Sequence, residues 1–402
     1  MEIDYYEKYI KYRTKYLQLK EELEGGGAKF DKFKRFLGIG PPKSKVPLNP
    51  EKPEYLSKGS FGVVMTAIPC VPECTNPKCT HAISKIMIEN EADNEVSIYK
   101  DIILDKIDKD GNFFINLIHS CNNKKVVKDK KILMYENGGI DLSIYINKLI
   151  SSGLLPNTKT YIKNIKYILK KLLNILEGIV LLNKNGIYHC DIKLNNIVTG
   201  LHDPINFSNL PEDNKFRLID FGLAQKIDKF IINNYVLNNE IYFYNTIYYR
   251  PLEFILLTTI NHYNRDDIIN DINIFNTYDF IANTSFSNNN INIHNRMNNR
   301  TSNLIRDNYK QKKILINDIQ KEAIINRDNI ILVNILKTVD IYSFGILLLE
   351  LSNTINEPFK SEIISFVFNN ELLNPDYTKR PKEEHQLIDL IEKYKLFIQK
   401  IK

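Results

Sequence analysis

The chain has 402 residues, of which 43% are apolar and 25% charged, and a formal net charge of +6. That content can bury more than one core and excludes a collagen-like, disulfide-dense or wholly disordered chain. The mild positive balance is no signature of a specific nucleic-acid binder. The first residues are charged and tyrosine-rich with no apolar leader, and no apolar run approaches the ~20 residues of a membrane helix. A cytoplasmic protein with no membrane partner is therefore expected, with its 5 cysteines outside disulfides.

Residues 1–27 carry an apolar stripe at Tyr5, Tyr9, Tyr12, Tyr16, Leu19 and Leu23. The steps alternate between four and three residues, which predicts an amphipathic helix ended by Gly25-Gly26-Gly27. A lone helix of this length is marginal in water, so it would lie on its own domain or on a partner. Residues 28–54 hold lysines and prolines without a period and read as a linker.

From Tyr55 to Glu136 short strands are predicted, with one helix over Glu91–Lys100. From Leu142 onward helices dominate, and 161–184 is strongly amphipathic on the way to a polar loop. Strands first and helices second suit an α+β unit spanning 55–402. An insertion is predicted at about 260–335, where Asn288–Arg300 is asparagine-rich and lacks an apolar period.

Within this frame several residue sets carry chemistry. Ser57-Lys58-Gly59-Ser60-Phe61-Gly62-Val63-Val64 sits at a predicted strand–turn–strand. Small residues at Ser57, Gly59, Ser60 and Gly62 would let backbone N–H groups close over phosphates, although a plain β-turn fits the same spacing. Lys85 ends an apolar strand, and Glu95 lies on the helix that follows, with Glu91 one turn earlier on the same face. Ile132–Tyr135 reads as a strand that leaves through Glu136 and Asn137 into Gly138-Gly139. His189-Cys190-Asp191-Ile192-Lys193-Leu194-Asn195-Asn196 places a carboxylate two residues before a lysine and five before an amide, and Asp220-Phe221-Gly222 supplies a second carboxylate. That spacing can gather a hydroxyl, a phosphoryl group and a hard cation.

This ordered set resembles the signature motifs of the eukaryotic-type protein kinase superfamily. The resemblance extends to Thr246-Ile247-Tyr248-Tyr249-Arg250-Pro251-Leu252-Glu253, to Asp340-Ile341-Tyr342-Ser343-Phe344-Gly345 and to Arg380. It implies a bilobal fold with a small β-rich N-lobe and a larger helical C-lobe. It also implies an activity, transfer of the γ-phosphate of ATP to Ser/Thr hydroxyls of protein substrates with Mg2+. In that likeness Asp191 takes the hydroxyl proton and Lys193 neutralises the transferring phosphoryl group. Asn196 and Asp220 hold Mg2+. Ser57, Gly59, Ser60, Phe61, Gly62 and Val64 cover the nucleotide, Lys85 with Glu95 binds its phosphates, and the backbone near Glu136 meets the adenine. His189 is structural, Asp340 braces the loop, and Arg380 pairs with Glu253. Lys193 and Thr246 favour Ser/Thr over Tyr. The N-terminal Tyr/Lys-rich segment resembles those at the front of giant-virus proteins, which implies a host-cell or virion location.

The chain departs from the family pattern at Ser57, at Ile83 for an alanine, at Pro251-Leu252-Glu253 in place of Ala-Pro-Glu, and at Cys190 for an arginine. The arginine normally pairs with an activation-segment phosphate, so its loss argues against that mode of control. These departures keep a pseudokinase that binds without turnover as the alternative. Cys70, Cys74, Cys79 and His81 precede Lys85. Three thiols and an imidazole can hold zinc, and an unliganded loop is the other reading.

Overall fold

The computed structural model describes residues 55–59, 62–66, 82–100, 107–122, 130–155, 158–227, 249, 251, 254, 329–353, 355, 359–374 and 376–401. The N-terminal helix expected over 1–27, the linker 28–54 and the stretch 260–328 lie outside them, as do Cys70, Cys74, Cys79 and His81. The described residues fall into two compact units, Met1–Ala92 with Leu117–Glu136, and Asp93–Asn116 with Asn137–Lys402. One is built on a sheet and the other mainly on helices, so the chain is of mixed α+β class.

The first unit holds an antiparallel sheet of β1 (Tyr55–Gly59), β2 (Gly62–Thr66), β3 (Ile83–Ile88), β4 (Leu117–Cys121) and β5 (Lys130–Tyr135), in the order β1-β2-β3-β5-β4. Apolar runs with β-branched residues favour strands here, and Ile132, Leu133, Met134 and Tyr135 are all buried. Gly59 pairs with Gly62 where β1 ends and β2 begins. A helix, α1 (Glu89–Tyr99), follows β3 directly and continues from the first unit into the second.

One expectation is corrected in this unit. Cys121, the buried last residue of β4, is disulfide-bonded. Cys190 is a free thiol. Whether two thiols bond depends on the fold bringing them together, and an inferred compartment does not report that.

The second unit is organised by two long helices. α2 (Leu142–Ser151) is capped by Asp141, whose side chain accepts from the Ile144 amide at 2.8 Å. α3 (Lys159–Lys184) is capped by Thr158 and buries Ile165, Ile168, Leu172, Ile175, Ile179 and Leu182 at three- and four-residue steps. α4 (Asn329–Ser352) is apolar around its whole circumference, and Ile335 through Leu351 are almost all buried, as such a helix must be. α5 (Phe359–Asn369) and α6 (Glu384–Lys400) complete the packing. Tyr394 of α6 stacks edge-on with Phe344 of α4 and Phe366 of α5, and its hydroxyl donates to the Leu169 carbonyl of α3 at 3.0 Å. Two ladders of two residues complete the chain-order elements: β6 (Ile187–Tyr188) with β9 (Gln225–Lys226), and β7 (Ile197–Val198) with β8 (Arg217–Leu218). The expected helices begin about one turn or less earlier than predicted, at Glu89 and at Lys159.

Two local devices fix the loops that border the short ladders. Gly139 has φ +77°, and a Cβ there would lie 2.3 Å from the Leu201 carbonyl oxygen. Only glycine allows this approach, which lets Ile140 donate to Leu201 O and Gly200 to Gly138 O at 2.9 and 2.8 Å. Asp108 is buried, and its carboxylate accepts from the amides of Asn112, Phe113 and Phe114 at 2.7, 2.8 and 3.0 Å. Asn174 of α3 then donates to both Asn112 O and Phe216 O at 2.8 Å, which ties this loop to the start of β8. Replacing Asp108 by Ala leaves three amides without their acceptor. Asp108→Ala is expected to destabilise the protein by about 3 kcal/mol in denaturant unfolding. An unchanged unfolding midpoint would contradict the bracing role of this carboxylate.

Candidate active site

The sheet unit gathers one group of the expected residues. In antiparallel pairing, residues directly opposite one another share a face. Ser57 is opposite Val64, Val64 opposite Lys85, and Lys85 opposite Leu133, so this row crosses four strands on one face. Ile83 lies two residues before Lys85 on that face, opposite Thr66 and Tyr135. Lys85 is buried and Val64 half-buried. Glu136 follows β5 and is half-buried. Ser60 and Phe61 lie outside the described residues, and Gly59 and Gly62 are placed as strand residues. Glu95 is on α1, fully buried, and belongs to the helical unit.

The helical unit gathers the second group. The loop between β6 and β7 carries Asp191, Lys193 and Asn196. Asp191 is 5% exposed. Its Oδ2 accepts from Lys193 Nζ at 2.7 Å and from Asn196 Nδ2 at 2.8 Å, and Asn196 Nδ2 also donates to the Asp191 carbonyl at 2.8 Å. These bonds to one oxygen set the carboxylate's orientation. The β7–β8 ladder pairs Ile197 with Leu218, and Ile219 donates to the Asn196 carbonyl at 3.0 Å. The ladder therefore brings Asn196 and Asp220 to the same end of two adjacent strands. Asp220 has φ +66°, and its side chain accepts from the Gly222 amide at 3.4 Å, which opens the one-turn helix Phe221–Leu223.

Beneath this pair of loops lies a buried brace. Asp340 of α4 accepts from the amides of His189 and Cys190 at 2.7 and 2.8 Å, one on each carboxylate oxygen. Burial pushes its carboxyl above the ordinary range, against the pull of the His189 charge and those two amides. Cys190 has φ +61°, a left-handed backbone that costs a non-glycine residue roughly 1 kcal/mol. The two charge-assisted bonds to Asp340 offset that strain. The His189 Nε2–H donates to the Ile219 carbonyl at 3.0 Å, and its ring lies 4.7 Å from that of Phe221. His189 is thus structural, as its position in the sequence suggested.

The strained residue after His189 faces an apolar cluster. Cys190 packs with Tyr188, Phe254, Ile335, Leu336, Val339 and Tyr377. Thr246 and Glu253 lie outside the described residues, but Tyr249, Pro251 and Phe254 of the same segment are buried. Ser343 of α4 donates to the Tyr249 carbonyl at 2.7 Å, and the Tyr249 hydroxyl bonds the buried Glu350 carboxylate. Arg380 is fully buried. Its Nε donates to Asn374 O at 2.8 Å, its Nη1 to Thr338 Oγ1 at 3.2 Å, and its guanidinium stacks on Tyr342. The pairing of Glu350 with Tyr249 was not legible in the sequence because 101 residues separate them. The ten-residue step from Asp340 to Glu350, which puts both on buried α4, was the available signal.

Chemically, the arrangement offers a fixed carboxylate for a proton, an ammonium 2.7 Å from it, and an amide beside a second carboxylate. Among the described residues no cluster of three or more His, Cys, Asp and Glu is placed to hold a metal. An amide and one carboxylate is instead the sparse set that suits magnesium, which keeps water and phosphate oxygens as its other ligands. No helix among the described residues is long and apolar enough to cross a membrane. No model of a known protein family matches the chain, and no curated protein sequence matches it.

An asparagine at position 340 keeps one acceptor oxygen but turns an NH2 group toward the second amide. Asp340→Asn is expected to cost about 2 kcal/mol of stability. It should also speed hydrogen exchange at the His189 and Cys190 amides relative to those of α3. Unchanged exchange at the two amides would contradict the brace.

Proposed function

We propose that the chain is a serine/threonine protein kinase of eukaryotic type, transferring the γ-phosphate of ATP to a Ser or Thr hydroxyl of a protein substrate. The observation that carries this reading is the shared orientation of Asp191 by Lys193 and Asn196, beside an Asp220 that the β7–β8 ladder delivers to Asn196. The order of the units supports it too: an antiparallel sheet presenting Val64 and Lys85 on one face, then a larger helical unit holding the loop carboxylates. The bilobal kinase arrangement, and the pairing of Lys85 with Glu95 across the two units, are parts of the proposal.

On this reading Asp191 orients the substrate hydroxyl and accepts its proton as the oxygen attacks the γ-phosphorus. Lys193 leaves Asp191 for the transferring phosphoryl group as negative charge gathers there. Lys85 would bind the nucleotide phosphates, with Glu95 as its counter-ion. Asn196 Nδ2 is committed to Asp191, and its Oδ1 with the Asp220 carboxylate would hold Mg2+. Bound there, the cation neutralises charge on the phosphates.

Tyr249, bonded to Ser343 and Glu350 of α4, would belong to the platform for the substrate peptide. In place of a cation for an activation-segment phosphate, Cys190 joins that segment's Phe254 in an apolar cluster. The platform and the catalytic loop are then coupled by packing, and no phosphate is required.

Transfer of labelled γ-phosphate to a generic protein substrate tests the activity. The wild type should yield phosphoserine or phosphothreonine, and Asp191→Ala should fall by roughly 10²–10⁴. Intact nucleotide binding with no transfer from the wild type would leave a pseudokinase. A second assay follows from Cys190: treatment of the purified enzyme with a protein phosphatase should leave its turnover within about twofold. A tenfold loss that ATP pre-incubation restores would contradict coupling by packing alone.

A further inference from the structure

Within the helical unit, the chain that leaves β5 runs antiparallel to the stretch that follows β7. Asp141 is bridged to Val198, the Thr199 amide donates to the Ile140 carbonyl at 2.9 Å, the Ile140 amide to the Leu201 carbonyl at 2.9 Å, and the Gly200 amide to the Gly138 carbonyl at 2.8 Å. A Cβ at Gly138 would overlap Val198 and Ile115, so only glycine lets the two stretches approach this closely. The pairing is short and rich in glycine, with Gly139 at φ +77° and Gly200 at φ +71°. Glycine loses the most conformational freedom on ordering, so such a pairing is loose unless something else ties it. One side chain does. Thr199 is fully buried, and its hydroxyl donates to the Ile140 carbonyl at 2.9 Å and accepts from the Leu201 amide at 3.3 Å. The Ile140 carbonyl therefore receives two hydrogens from one residue, through its amide and its hydroxyl. A turn-forming role alone would account for the bond from Leu201. It would not account for the second bond to a carbonyl that the Thr199 amide already satisfies.

We propose that Thr199 is a positioning residue for the nucleotide, its hydroxyl fixing the spacing between the backbone that meets the base and the side chains that hold the cation on the phosphates. The inference rests on the kinase reading, in which the backbone near Glu136 meets the adenine and Asn196 with Asp220 holds Mg2+. Thr199 stands three residues after Asn196, and Ile140 stands four residues after Glu136. The hydroxyl joins these two runs. The run from Asn196 along β7 to Thr199 is extended and spans about 10 Å. β7 pairs in turn with β8, which leads to Asp220. A ligand with a base at one end and a cation-bound phosphate at the other gains from holding both only when their spacing is fixed, because the second contact is then made at high effective concentration. A pairing that frays between Ile140 and Thr199 lets the two ends bind as separate pieces and forfeits that gain.

The test titrates the full-length wild type, Thr199→Val and Thr199→Ser by calorimetry with three probes: adenosine, tripolyphosphate with Mg2+, and a non-hydrolysable ATP analogue with Mg2+. Valine keeps the shape of threonine and lacks the hydroxyl. Thr199→Val is expected to bind adenosine and tripolyphosphate within about twofold of the wild type, yet to bind the whole analogue roughly five- to tenfold more weakly, the worth of one hydrogen bond. Thr199→Ser keeps the hydroxyl and should restore binding of the analogue. In transfer assays the KM of Thr199→Val for ATP should rise by the same factor, with kcat retained. If Thr199→Val binds the analogue as the wild type does, the hydroxyl has no such role and the proposal fails while the kinase reading stands. If Thr199→Val weakens all three probes alike, or if Thr199→Ser restores nothing, the residue acts through general stability and the positioning role is overturned. If the wild type binds the analogue no more tightly than adenosine, no phosphate and cation site is joined to the base site, and the kinase reading fails together with the proposal.

Discussion

A single buried carboxylate sets the geometry of this protein's polar centre. Asp340 sits on a helix that is apolar on every side, and it sends one oxygen to each of two consecutive amides, His189 and Cys190. Charge in such surroundings is costly unless it is fully bonded. The helix and the loop are therefore coupled: moving either strands the carboxylate or the amides. The coupling holds Cys190 in a left-handed conformation and so fixes the exit direction of the chain into Asp191.

From that anchor the order propagates through rings. His189 rests against Phe221 while donating to Ile219, so the loop before Asp191 and the segment carrying Asp220 move as one. Phe114 and Tyr99 close the other sides of Phe221. Phe114 is in turn placed by the Asp108 carboxylate and by backbone pairing with Leu218. Edge-to-face rings add about 1 kcal/mol each beyond their burial. Their larger contribution here is directional, because a ring cage leaves few rotamers open. Two carboxylates on separate loops are thereby held to one arrangement.

What could be read from residues alone follows the range of each interaction. α3 was legible because its apolar positions recur every three or four residues over 26 residues, and β5 because an apolar run ends in Gly138-Gly139. The approach of Asp191, Lys193 and Asn196 was legible because they lie within six residues of one another, where spacing nearly fixes distance. Asp108 was not, since a carboxylate in a polar stretch looks like any turn residue until the amides of 112–114 curl around it. The bonds of Tyr249 to α4 depend on tertiary docking across 94 and 101 residues, which no local period records. Cys121 was misjudged for a related reason. A compartment argument speaks of the average cysteine and not of one buried at the end of β4.

The most direct measurement is a crystal structure of the full chain with a non-hydrolysable ATP analogue and Mg2+. The account predicts a cation held by Asn196 Oδ1 and the Asp220 carboxylate, Lys85 on the nucleotide phosphates, and Asp191 facing the γ-phosphate. A nucleotide bound with its phosphates away from Asp191, or a cation that touches neither Asn196 nor Asp220, would contradict it.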